Sequence, residues 1–166
     1  LVAFGAAVDK PGRKGRTALF AAAAAGHVAV VRALLSEGAS LNTRDRDGYT
    51  ILHAATARGR IVFVRMLLLE TIVAMVVDAR DIEGLTALHV ATQKGVAANV
   101  ALLLEEGLAT VDAVAGYEDS TPLVTAARRG GPAVTRVLLE HGAVVDAKTT
   151  GSLTALHMAA TCGQLE

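Results

Sequence analysis

Apolar residues along this chain fall into short runs of helical length, each closed by a glycine. The runs TALFAAAAAG, TILHAATARG, TALHVATQKG, TPLVTAARRG and TALHMAATCG begin at Thr17, Thr50, Thr86, Thr121 and Thr154, in steps of 33, 36, 35 and 33 residues. Leucine follows two positions on (Leu19, Leu52, Leu88, Leu123, Leu156) and alanine five on (Ala22, Ala55, Ala91, Ala126, Ala159). Gly26, Gly59, Gly95, Gly130 and Gly163 come nine on. Threonine is a good N-cap, because its hydroxyl accepts an unpaired amide of the first turn. Pro122 stands at a first helical position, where a missing N–H costs nothing. Glycine can take the left-handed conformation that ends a helix. The pattern predicts a first helix of about two turns after each threonine.

A second apolar stripe follows each glycine. Val31 and Leu35, Val64 and Leu68, and Val100 and Leu104 are spaced i, i+4; the fourth unit has Thr135 but keeps Leu138 and Leu139. Gly38, Gly107 and Gly142 are placed to stop this second helix. The exit reads Val8-Asp9, Leu41-Asn42, Val77-Asp78, Val111-Asp112 and Val145-Asp146. A polar stretch then leads to the next threonine, with Gly15, Gly48 and Gly84 two residues before it, and predicts a tight projecting turn or hairpin.

Helices this short are marginal alone in water. Self-similarity at this period therefore implies a solenoid whose units bury their apolar faces against each other. Composition agrees: 52% hydrophobic but only 3% aromatic, so alanine and leucine layers do the packing. The expected fold is an all-α repeat solenoid of stacked helix-loop-helix pairs with projecting β-hairpin-like turns. Such a fold offers a long surface, which makes binding the first functional expectation.

In TILHAATARG, TALHVATQKG, TPLVTAARRG and TALHMAATCG, with VVRALLSEGASLN for the second helix and exit, the sequence resembles the ankyrin repeat family across essentially its whole length. The resemblance implies antiparallel helix pairs, a hairpin between repeats, and a concave surface of hairpin tips and first helices. It also implies protein recognition without catalysis or cofactor. Phe20 and Val124 depart from the signature histidine, and Asp119 and Ser152 from the turn glycine. Repeat two lacks the Gly-Ala after its second helix, reads LETIVAMVVDARD there and runs three residues longer than the first, which accounts for the 36-residue step. The expected boundaries are a partial repeat 1–10, repeats at about 11–43, 44–79, 80–114 and 115–147, and a partial repeat 148–166. Both ends read as cut inside a repeat, so the chain is expected to be a segment of a longer array, monomeric in that setting.

Sixteen basic and sixteen acidic residues cancel, so net charge does not select a partner. The single cysteine, Cys162, excludes an internal disulfide framework and fits a reducing, intracellular compartment, cytoplasmic or nuclear. Apolar stretches such as IVAMVV are far shorter than the roughly 20 residues of a membrane span. His53, His89 and His157 recur three residues after a threonine. Layers roughly 10 Å apart cannot converge them on one metal ion, so local hydrogen bonding to the hairpin or threonine is expected. Cys162 lies five residues from His157, off its helix face, and has no base to activate it. Lys10 to Arg16 lacks the G-K-[ST] of a phosphate cradle and reads as a basic hairpin tip, with part of a nuclear import signal as the alternative.

Charge placement carries a sharper signal. Eleven of the sixteen basic residues (Arg13, Lys14, Arg16, Arg44, Arg46, Arg58, Arg80, Lys94, Arg128, Arg129 and Lys148) fall on turns or first-helix ends, the positions the resemblance turns to the concave side. Asp47, Glu83 and Glu118 are the acids on its freely variable positions, while Asp45 and Asp81 are expected to brace hairpins. A solvated helix end, where a cation also suits the dipole, is the plainer account of arginine before these glycines. Tyr49, Ile82, Leu85, Tyr117 and Leu153 fall at hairpin positions, as partner anchors or as hairpin packing. The candidate partner-binding set is therefore Arg13, Arg16, Arg46, Asp47, Tyr49, Arg58, Ile82, Glu83, Leu85, Lys94, Tyr117, Glu118, Arg128 and Arg129. A protein partner with an acidic or extended segment is expected. The alternatives are nucleic-acid or anionic-surface binding through the same arginines, and a non-catalytic regulatory region of a larger enzyme or signalling protein. Nucleic acid is disfavoured for want of an aromatic stacking platform.

Overall fold

A computed structural model describes residues 6–69, 77–106 and 108–164. Within them a single 3-10 turn, Arg13–Gly15, precedes nine α-helices: α1 Ala18–Ala25, α2 Val28–Ser36, α3 Ile51–Ala57, α4 Ile61–Leu69, α5 Ala87–Lys94, α6 Ala97–Glu105, α7 Pro122–Arg129, α8 Pro132–Glu140 and α9 Ala155–Thr161. The described residues contain no strands beyond one isolated bridge, Ala115 to Ser120. The solenoid expected from the repeat is the fold observed.

The punctuation works as the sequence dictates. Thr17, Thr50, Thr86 and Thr121 each accept the amide three residues on, and Pro122 opens α7. Gly26, Gly59, Gly95, Gly130 and Gly163 all have φ between 65° and 77°, where a Cβ would be strained. First helices stack in order, α1 on α3 on α5 on α7 on α9, and second helices α4, α6 and α8 form a parallel row. One continuous apolar cluster runs from Leu19 to Ala155. Leu19, Leu52, Leu88 and Leu123 lie in its successive layers, each at most 2% exposed, with Ala22, Ala55, Ala91 and Ala126 beside them. In repeat four the buried valine is Val134, one residue before the position Thr135 holds, and Leu138 is fully buried.

The turns are tied to each other by backbone. Within them, the amides of Gly12, Asp45, Asp81 and Thr149 donate to the carbonyls of Arg16, Tyr49, Leu85 and Leu153. Between them, Arg46 N–H donates to Lys14 O (2.9 Å), Ile82 to Asp47 (3.2 Å), Gly116 to Glu83 (3.1 Å) and Thr150 to Glu118 (3.0 Å). Asp45 and Asp81 brace their turns as expected, each Oδ1 accepting the amides two and four residues on. Asp119 and Ser152, in place of glycine, still take the left-handed conformation, at φ 48° and 59°. On the opposite edge Asp9, Asp78 and Asp112 accept the amides of Ser40, Thr110 and Val144 in the following repeat. The expectations for residues 1–5, Gly107 and most of the insertion in repeat two (70–76) fall outside the described residues.

Candidate functional site

Two of the recurring histidines, His53 and His89, are joints between repeats, while His157 is exposed and bonds only its own Thr154. Thr50 Oγ1 lies 2.8 Å from His53 Nδ1, and Thr50 N–H donates to the same nitrogen at 3.3 Å. An amide can only donate, so Nδ1 is the acceptor and the proton sits on Nε2, which donates to Leu85 O at 3.0 Å. His89 repeats this with Thr86 and Ser120 O, at 2.9 and 3.1 Å. Each imidazole thus fastens its own N-cap to the residue preceding the next N-cap. Both are fully buried, and that burial lowers their pKa below 6.5. Where Phe20 replaces histidine, Arg16 takes over the joint. Its guanidinium lies 4.9 Å over the Phe20 ring and pairs with the buried Asp45 carboxylate of the next turn at 3.0 Å. Among the described residues no group of three or more His, Cys, Asp or Glu is arranged to hold a metal ion.

The structure sorts the basic residues into two kinds. Arg16 is committed to Asp45, and Arg128 pairs with Glu118 at 2.5 Å. Arg44 donates to Arg80 O (2.6 Å), and Arg80 donates to Gly84 O and Val114 O (3.0 and 2.5 Å), so each braces its own turn against the next. Both stand six residues before a repeat threonine, a periodicity that could have marked them as structural. Arg13, Lys14, Arg46, Arg58, Lys94 and Arg129 are exposed and, among the described residues, make no side-chain hydrogen bond or ion pair.

The anchors separate in the same way. Leu85 is buried and Tyr49 half-buried, its ring stacked on His53 at 5.3 Å and its hydroxyl pKa raised by burial first and by Asp81 next. These two pack the turns. Ile82 is 73% exposed and Tyr117 fully so. Tyr117 stands at the mouth of a cleft of about 360 Å³ whose wall includes Glu83 and Glu118 from two turns and Gln93, Arg128 and Arg129 from two first helices. Tips and first-helix ends of neighbouring repeats therefore share one surface, where six of the fourteen candidate residues line a single cleft. Asp47 is exposed one tip earlier, with Arg46, while Arg13 lies with Lys14 and Arg16 at the first tip.

What the arrangement offers is hydrogen bonds, charge and an unshielded phenol. The family model described as "Ankyrin repeats (3 copies)" matches residues 1–78, 45–115 and 67–149. Comparison with curated proteins gives no match. No described helix is long and apolar enough to cross a membrane. The chain belongs to the ankyrin repeat family, whose repeats generally mediate protein–protein interaction, and it fits the role of a scaffold.

Proposed function

We propose that the face of turn tips and first-helix ends binds an extended segment of a partner protein, and that the chain is a non-catalytic scaffold. The cleft beside Tyr117 carries this reading. A fully exposed tyrosine, flanked by arginine and glutamate on a wall of turn and first-helix residues, is the composition of an interface hot spot. The single exposed, free thiol of Cys162 supports an intracellular, reducing setting.

Nucleic acid fits the same face less well. Phosphate tracking needs uncommitted cations. Four arginines here are spent on internal partners, and Glu83 and Glu118 stand in the cleft that would have to hold phosphate. One fully exposed tyrosine makes no stacking series.

The test compares Kd for a partner recovered by pull-down. Arg46→Glu, Arg58→Glu and Arg129→Glu on the face are set against Arg32→Glu and Arg136→Glu on second helices. The face variants and Tyr117→Ala should weaken binding, the tyrosine by about thirtyfold, equivalent to a hot-spot loss of ~2 kcal/mol. Binding untouched by every face variant would sink the assignment. A steep log-linear salt slope with no dependence on Tyr117 would favour nucleic acid instead.

A further inference from the structure

The tips change character along the stack. The first, Arg13 and Lys14, is purely cationic, and Asp45 in the next turn is taken by Arg16. The second carries Arg46 and Asp47, the third Ile82 and Glu83, and the fourth Tyr117, Glu118 and Asp119. First-helix ends run the other way: Ala24 and Ala25, then Arg58, then Lys94, then Arg128 and Arg129. In the first half, four cations (Arg13, Lys14, Arg46, Arg58) face one free carboxylate, Asp47. In the second half Arg128 is paired with Glu118, Lys94 and Arg129 face Glu83 and Asp119, two against two, and both highly exposed apolar tip residues, Ile82 and Tyr117, are there. Positive potential is concentrated at one end and apolar area at the other.

We propose that this groove has a direction: it takes an extended segment whose acidic residues lie over the first two tips and whose aliphatic or aromatic residue packs between Ile82 and Tyr117. The proposal rests on the binding face proposed above and adds the composition and polarity of what it binds. Charge complementarity sets the first half, since carboxylates there meet cations not already neutralised. Desolvation sets the second, because covering two exposed apolar side chains gains only if the incoming residue is apolar too. Spacing follows from geometry. Packed helix layers lie roughly 10 Å apart and the two halves are centred two layers apart, about 20 Å. An extended chain covers ~3.3 Å per residue, so acidic cluster and apolar anchor should stand about six residues apart.

The test is a random 16-residue peptide library displayed on phage and panned on the whole chain, with selected peptides resynthesised carrying a fluorophore. The expected consensus is a cluster of Asp and Glu with Leu, Ile or Phe about six residues away. Arg13→Glu with Arg46→Glu should weaken binding at least tenfold. That variant should also no longer distinguish the acidic peptide from its Asn/Gln form. Ile82→Ala with Tyr117→Ala should abolish only the preference at the apolar position. All four side chains are exposed, and unchanged melting curves would confirm that the fold is intact. Peptides that are lost on Arg58→Glu or Arg129→Glu, but show no acidic-to-apolar order or couple their acids to Tyr117, would overturn the polarity and leave the binding face standing. Peptides indifferent to every face variant, or no selected peptides at all, would overturn both.

Discussion

Acid should loosen this solenoid at its histidine joints before it reaches the carboxylates. The Nδ1 atoms of His53 and His89 accept from a threonine hydroxyl and a threonine amide. A protonated imidazole has no acceptor. The hydroxyl can rotate to accept instead, but the amide cannot, so protonation sets N–H against N–H inside a buried layer. Burial is the largest cause of the lowered pKa at both sites; the Leu85 and Ser120 carbonyls pull upward and lose. The folded state therefore holds both rings neutral while the unfolded chain takes up protons near pH 6.5. Below that pH the unfolded state binds more protons, so stability is full above about pH 6.5 and falls as pH drops through it.

The ceiling follows from linkage. A group protonated only when unfolded loses RT ln(1 + [H⁺]/Ka) of stability, about 1.4 kcal/mol at pH 5.5, or ~2.8 kcal/mol for the pair. Urea titrations followed by helical circular dichroism at pH 7.5, 6.5 and 5.5 measure it, with the slope m checked for constancy. A variant carrying His53→Val and His89→Val, which copies Val124 at the same repeat position, should be less stable at pH 7.5 yet nearly flat across the range. A flat wild-type profile, or a double variant falling in parallel with it, would refute the claim that these two rings are the joints that titrate.

Leu88, fully buried between neighbouring layers, should cost roughly 2–5 kcal/mol when cut to alanine, whereas exposed Arg58→Ala should stay within about 0.5 kcal/mol; urea midpoints compare them. Ser152→Gly and Asp119→Gly should each raise the melting point, by removing a left-handed side-chain residue worth up to about 1 kcal/mol. Gly48→Ala should be clearly worse than Gly38→Ala in thermal melts. Both glycines have positive φ, but only at Gly48 would the new Cβ stand 2.9 Å from the Ile82 backbone nitrogen, in the seam between two tips.

Periodicity made the fold legible, because each element is specified locally. Thr17 with Gly26, or Thr121 and Pro122 with Gly130, mark a helix start and stop through their own backbone preferences. Substitutions at marked positions proved soft where the neighbouring repeat enforces the geometry: Ser152 keeps the turn of Gly48 because its amide is held by Thr149 O and the turn by the fourth tip. The candidate site was legible only in outline. Counting cations by repeat position gives all eleven face residues equal weight, yet what a side chain offers depends on residues about 30 positions away. Arg16 finds Asp45, Arg44 finds the Arg80 carbonyl and Arg80 the Val114 carbonyl, all in the next repeat. Tyr49 stands one residue before its repeat threonine and Tyr117 four before, so the same residue type meets different surroundings. Next to the threonine Tyr49 lies on His53, whereas at the tip Tyr117 projects exposed, as Arg13, Arg46 and Ile82 do in their turns. A tip side chain that braces no neighbouring turn is one the scaffold does not spend on itself, and repeat position together with the partners about 30 residues away decides which side chains those are.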